Sequence, residues 1–161
     1  MAQKDIRTLT LADLQSSFAA LGQPTYRAKQ VYEWLWKHGA RRFDDMTNIP
    51  AALRQLLAEQ FVFHSIALDV RQHSADGTIK SRYKLHDGNF IETVLIPVVE
   101  DRRATACVSS QVGCSLTCSF CATGRMGRIR NLTAAEIYVQ AYDTNRLSQE
   151  ALGYPLTNIV Y

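Results

Sequence analysis

The chain has 161 residues, 47% of them hydrophobic, with 18 Lys and Arg against 15 Asp and Glu and a formal net charge of +3. That apolar fraction supports a packed core, and the length suits one domain or a small domain plus part of another. No apolar run approaches the length of a membrane span, and the start, Met1-Ala2-Gln3-Lys4-Asp5, is polar with no apolar signal core. The expectation is a cytoplasmic protein with no membrane partner.

Thr10-Leu11-Ala12-Asp13 has the form of a capping box with Asp in the last position. Leu11, Leu14, Phe18 and Leu21 follow at helical spacing, and Gly22 ends the run. A second helix is predicted from about Tyr26 to His38. It carries Ala28, Val31, Tyr32, Trp34, Leu35 and Trp36 and stops at Gly39. A third begins near Pro50, a residue favoured in the first helical turn, and carries Leu53, Leu56, Leu57 and Phe61. Arg27, Lys29, Lys37, His38, Arg41 and Arg42 lie on or beside the second helix. They read either as a solvated face or, with Tyr26, Tyr32, Trp34 and Trp36 among them, as an RNA contact.

Strands come next. Ile66, Leu68 and Val70 alternate, Asp76-Gly77 makes a hairpin turn, Ile79 to His86 returns, and Asp87-Gly88 turns again. Phe90 to Ile96 is apolar on both faces, so it predicts a strand covered on both sides, interrupted by Glu92. A buried carboxylate there would rise in pKa and suit a general base. The alternative is an edge residue paired with an Arg such as Arg82. Ala104 to Ser109 is a further strand and holds Cys107, which by itself reads as an inert core cysteine.

Cys114-Ser115-Leu116-Thr117-Cys118-Ser119-Phe120-Cys121 follows, three thiols spaced C-x3-C-x2-C between Gly113 and Gly124. Thiolates this close suit a soft metal or an iron–sulfur cluster. Three of them hold three irons of a four-iron cube and leave the fourth open to a cofactor. A zinc site that recruits Cys107 and a disulfide pair are the other readings. Gly124 to Arg130 is a glycine-containing loop. Its arginines, Arg125, Arg128 and Arg130, suit RNA phosphates or a carboxylate, or lie free in solvent. Thr133-Ala134-Ala135-Glu136 is a second capping box that opens a helix to about Leu147, and Gly153-Tyr154-Pro155 turns the chain into a last strand. The chain stops at Asn158-Ile159-Val160-Tyr161 within that strand and reads as the N-terminal part of a longer protein.

The cysteine spacing with Phe120 before the last Cys resembles the signature of the radical S-adenosylmethionine (SAM) enzymes. Three segments narrow the likeness. They are Cys107-Val108-Ser109-Ser110-Gln111-Val112-Gly113-Cys114, Phe120-Cys121-Ala122-Thr123-Gly124 and Arg130-Asn131-Leu132-Thr133. Together they resemble the RlmN/Cfr family of RNA adenine methyltransferases, and Val112 resembles the C2 branch of that family. The resemblance implies a [4Fe-4S] cluster on Cys114, Cys118 and Cys121, with SAM on the open iron. Glu92, in Glu92-Thr93-Val94-Leu95-Ile96-Pro97, matches the family's proton acceptor. Cys107, seven residues before Cys114, matches the cysteine that forms a transient disulfide with a methyl-carrying C-terminal Cys absent from this chain. SAM-contacting motifs are expected beyond Tyr161.

The implied reaction methylates C2 of an adenine in 23S rRNA and in tRNA through that methyl-cysteine, with electrons from a donor such as flavodoxin or ferredoxin. The implied fold is an α+β N-terminal region joined to the beginning of a partial radical SAM (βα)6 barrel, truncated. The division is a helical accessory RNA-binding domain at 1–62, a β-rich connecting segment at 63–102 and the first part of the barrel at 103–161. A zinc-stabilised, non-catalytic RNA-binding protein is the alternative. An iron–sulfur electron carrier is disfavoured, because a carrier saturates its irons.

Overall fold

A computed structural model describes residues 3–64, 66–116 and 118–161. Met1-Ala2 of the polar start and Thr117 of the cysteine stretch lie outside them. The chain divides into two compact units at residue 65.

In the first unit, β1 (Lys4–Asp5) leads through a short 3-10 turn to α1 (Leu11–Ala20) and α2 (Thr25–Trp36). A second 3-10 turn at Phe43–Asp45, α3 (Ala51–Gln60) and β2 (Phe61–Val62) complete it. β2 pairs in parallel with β1. The expected capping box of α1 is present: Thr10 Oγ1 accepts from Asp13 N at 3.1 Å, and Asp13 Oδ2 accepts from Thr10 N at 2.9 Å. Pro50 stands one residue before α3, as its N-cap. The helices bury Leu14, Phe18, Val31, Leu35 and Leu57 completely, together with Ile6 and Met46. Tyr32, Trp34 and Trp36 pack half-buried against that core, so these three rings serve packing. Tyr26 stays exposed, with the Arg27 guanidinium 5.0 Å over its ring.

The second unit is built on one five-stranded sheet. β3 (Ile66–His73), β4 (Ile79–Leu85), β5 (Phe90–Val98) and β6 (Arg103–Cys107) run antiparallel in sequence order. A two-residue ribbon follows, β7 (Gln111–Val112) with β8 (Arg130–Asn131), then α4 (Ala134–Leu152) and β9 (Asn158–Val160). β9 lies parallel to β6 at the sheet edge, the strand–helix–strand connection expected from the sequence. The segments read as 63–102 and 103–161 thus share one sheet. Both hairpin turns carry their glycines in the left-handed region, Gly77 at φ +82° and Gly88 at φ +85°.

α4 covers one face of this sheet. Val139 packs with Tyr83 and Ile91, and Leu147 with Ile79, Leu95 and Ala104. The covering is one-sided, which corrects the reading of β5 as buried on both faces. Ile91, Thr93 and Leu95 are buried, while Phe90, Glu92 and Ile96 on the alternate face are exposed. An apolar run is also what a half-covered strand shows when its open face keeps large apolar side chains.

Candidate functional site

Strand alternation and register decide which side chains share the uncovered face. Cys107 is opposite Val94, Val94 is opposite Lys80, and Glu92 is opposite Arg82. Since side chains two apart share a face, Lys80, Arg82 and Lys84 of β4, Phe90 and Glu92 of β5 and Cys107 of β6 all lie on the open side. The structure therefore brings Glu92 and Cys107 to the same face of adjacent strands.

Glu92 is not buried. Its side chain is 52% exposed, and Lys80 Nζ lies 3.2 Å from its Oε1. This corrects the expectation of a desolvated carboxyl. It also corrects the alternative partner: Arg82 is taken by Asp69, which accepts from its Nε at 2.6 Å. Asp69 sits at an irregularity of β3, where the register shifts between Leu68 and Val70, and so reaches β4.

Cys107 is a half-buried free thiol at the end of β6. Its neighbours are fixed by Gln140, which is wholly buried in α4. Gln140 Oε1 accepts from Thr93 Oγ1 and from Ser109 N, each at 2.8 Å. Its Nε2 donates to Ser109 O at 3.0 Å and to Glu136 O at 3.1 Å. Ser109 Oγ in turn donates to the Glu92 carbonyl at 2.8 Å. One buried amide thus ties the helix to the strands of both Glu92 and Cys107.

The cysteine loop starts and ends at the β7–β8 ribbon. Ile129 N donates to Val112 O and Leu132 N to Ser110 O, both at 2.9 Å. Gly113 opens the loop at φ +71°, and a Cβ placed there would collide with the Gly127 carbonyl. No other residue fits that close backbone approach. Within the loop, Leu116 N donates to Cys114 Sγ at 3.5 Å and Cys118 Sγ to Leu116 O at 3.8 Å. Cys114, Cys118 and Cys121 are free and half-buried, and the Phe120 ring is 91% exposed. Three soft donors on one short loop fit an iron–sulfur cluster in their chemistry. Among the described residues, no group of three or more His, Cys, Asp or Glu stands close enough to hold a metal ion.

The loop arginines differ from one another. Arg125 Nη2 donates to Ser119 O and Arg128 Nη2 to Asn131 Oδ1, each at 2.9 Å. Arg130 binds carboxylates of this chain: Glu136 by two bonds of 2.7 and 2.9 Å, and Asp87 through Nε at 2.7 Å. The fork geometry of guanidinium suits such a double grip. Hydrogen bonding to Glu136, against a burial cost, and then to Asp87 raises the Arg130 pKa. Burial pushes Asp87 up, but its bonds from Arg130 and Asn89 outweigh that and hold it at about 2. Burial likewise pushes Glu136 up, and Arg130 and the Thr133 amide bring it down. This clasp joins the β4–β5 turn, the exit of the cysteine loop and the start of α4.

A cavity of about 330 Å³ opens between the loop and the open sheet face, lined among others by Arg82, Phe90, Glu92, Gln111, Gly113 and Met126.

Gln140, the pairing of Lys80 with Glu92, the pairing of Asp87 with Arg130 and the ribbon escaped sequence reading. One signal was available for Gln140. Glu136, Gln140, Thr144 and Ser148 recur every fourth residue along α4, and all four are buried.

Residues 4–63 match the family model described as Ribosomal RNA large subunit methyltransferase N-terminal domain. The chain is 50% identical over 159 residues to a probable dual-specificity RNA methyltransferase RlmN of Flavobacterium psychrophilum, covering 99% of this chain and 45% of that protein. It is 52% identical over the same length and shares to the protein of the same name from Christiangramia forsetii. The crystal structure of a radical SAM methyltransferase from Sphaerobacter thermophilus superposes with a TM-score of 0.82 at 43% identity, over 97% of this chain and 45% of that one. The chain spans less than half the length of these relatives.

Proposed function

We propose, because the chain belongs to the RlmN family, that the whole protein is a radical SAM methyltransferase acting on C2 of adenine in 23S rRNA and in tRNA through a methyl-cysteine. The observation that carries the reading is the shared open face of Glu92 and Cys107 beside a three-thiol loop. In this reading Cys114, Cys118 and Cys121 would hold a [4Fe-4S] cluster that works together with SAM. Bound cluster and SAM supply one-electron chemistry that amino-acid side chains lack. The sheet unit is then the beginning of the radical SAM barrel, residues 4–63 help hold RNA, and a flavodoxin or ferredoxin in the cytoplasm gives the electrons.

The chain's own residues do the rest. Glu92 accepts the proton leaving the adenine carbon, and its exposed position beside Lys80 leaves it open to a substrate. Cys107 attacks the sulfur of the methyl-carrying cysteine of the whole protein outside this chain: the S–S bond forms as that sulfur's bond to the RNA-attached carbon breaks, and the carbon takes the electron pair and a proton and leaves on the RNA as its methyl group. Gln140 and Ser109 hold the backbone of both strands in place while that happens.

The test uses the whole protein, reconstituted without oxygen. Iron with equimolar sulfide and visible absorption that bleaches on reduction are expected. Cys114→Ala, Cys118→Ala and Cys121→Ala lose that absorption, and Cys107→Ala keeps it. Cys107→Ala purified from cells carries covalently attached RNA, seen as a nuclease-sensitive shift on a denaturing gel. Zinc without sulfide, or a fully active Cys107→Ala protein, sinks the reading.

A further inference from the structure

We infer that the open face of β4 and β5 is an RNA-docking surface, on which Lys84 takes a phosphate and the Arg82–Phe90 pair takes a base next to the Glu92 cavity. This rests on the reading of the protein as an RNA methyltransferase. It goes further in naming where on the chain the nucleic acid lies. The open face carries Lys80, Arg82 and Lys84 in alternation along one strand. Their roles separate by partner. Lys80 faces Glu92 at 3.2 Å. Arg82 is pinned by Asp69 and lies 5.2 Å over the Phe90 ring. Lys84 is exposed opposite Phe90 and has no ion pair or hydrogen bond among the described residues. A lysine without a carboxylate partner, on an otherwise paired surface, is the charge left for an outside anion.

Phe90, the first residue of β5 after the turn, is a large apolar side chain left 44% exposed. With the guanidinium 5.2 Å over it and paired with Asp69, the ring and the cation stand side by side on the open face. Single-stranded RNA is held by that combination, aromatic and guanidinium planes for bases and cations for phosphates. Arg82 and Phe90 also line the cavity of about 330 Å³ that Glu92 lines. That volume lies at the low end of ligand pockets and suits one base rather than a folded strand. A base unstacked from the RNA and set on that pair would stand at the carboxylate proposed to accept its proton.

The test is fluorescence anisotropy of a labelled RNA hairpin, with an adenine in its single-stranded loop, titrated with the 161-residue chain at several salt concentrations. Lys84→Gln is expected to weaken binding and to lower the salt slope by about 1. Phe90→Leu keeps an apolar side chain but removes the ring. It should weaken binding about fivefold or more with the slope unchanged. Arg146→Gln, an exposed cation of α4 on the covered side of the sheet, is the control and should bind as the parent chain does. Equal melting curves of the variants establish that each is folded. The inference is overturned if the chain does not bind the hairpin, if Lys84→Gln or Phe90→Leu binds unchanged, or if Arg146→Gln loses as much. Methyl transfer and cluster content of the whole protein are separate measurements. Their failure would remove the methyltransferase reading even where the docking variants behave as expected.

Discussion

The two units are held together by different means. The helical unit closes on itself with apolar packing. Its buried polar residues, among the described ones, are Asp5 and Arg7 near the β1–β2 pair. The sheet unit buries Ser81, Thr93, Glu136, Gln140, Thr144 and Ser148, and three of these join α4 to the strands and loop that carry the candidate chemistry. Apolar contacts are non-directional and tolerate shifts, whereas a hydrogen bond fixes an atom to within a few tenths of an ångström. Where residues must be aimed, this molecule uses buried amides and ion pairs. Where it must only be stable, it uses Leu, Ile and Phe.

The largest expected effect tests the apolar half of that comparison. Phe18→Ala empties a fully buried site and should cost about 3–5 kcal/mol. Chemical denaturation should show the loss confined to the helical unit, with alkylation of Cys107 and the loop thiols unchanged. Accelerated alkylation would show that the two units are not independent.

Gln140→Leu attacks the other half. It keeps the bulk but leaves Ser109 N and the Thr93 hydroxyl without their acceptor, which should cost about 2–3 kcal/mol. Because both strands lose their tie to α4, the alkylation rate of Cys107 should rise more than the stability loss alone explains. If the rate follows stability only, Gln140 packs the unit rather than aiming its residues.

Gly113→Ala should cost about 1–3 kcal/mol for the positive φ alone, and the backbone at Gly127 must also shift to clear the new Cβ. Its signature is local: faster alkylation of Cys114, Cys118 and Cys121 with the helical unit's melting unchanged.

The smallest effect is the pH dependence of the Arg130 clasp. Asp87 has a folded pKa of about 2, below its ordinary carboxylate value. A carboxyl depressed on folding contributes stability that is complete above the unfolded pKa and disappears as pH falls through the folded one. The clasp should therefore be intact above about pH 4 and lost progressively towards pH 2. Asp87→Asn should flatten the acid limb of the sheet unit's unfolding curve, and an unaltered limb would show that Asp87 does not stabilise the fold.

Local chemistry made much of this legible in advance. Two capping boxes and two Asp-Gly turns are written in adjacent residues, and each appears where the sequence placed it. The fate of Glu92 was not legible. Alternation places it on one of two faces, but only the packing of α4 on the other face decides that it is exposed. Nor was Lys80 its evident partner, since Arg82 stands directly opposite and is removed by an aspartate from a third strand.

The sequence by itself determined the main helices and strands, the two capping boxes and the two Asp-Gly turns, because those depend on groups a few residues apart. Only the tertiary structure decided that Glu136, Gln140, Thr144 and Ser148 face inward. A polar stripe at four-residue spacing looks the same in sequence whether water or Arg130, Ser109 and Tyr154 satisfies it. Which of the two holds depends on residues far away in the chain. That same long-range assembly puts Glu92, Cys107 and Lys84 on one open face.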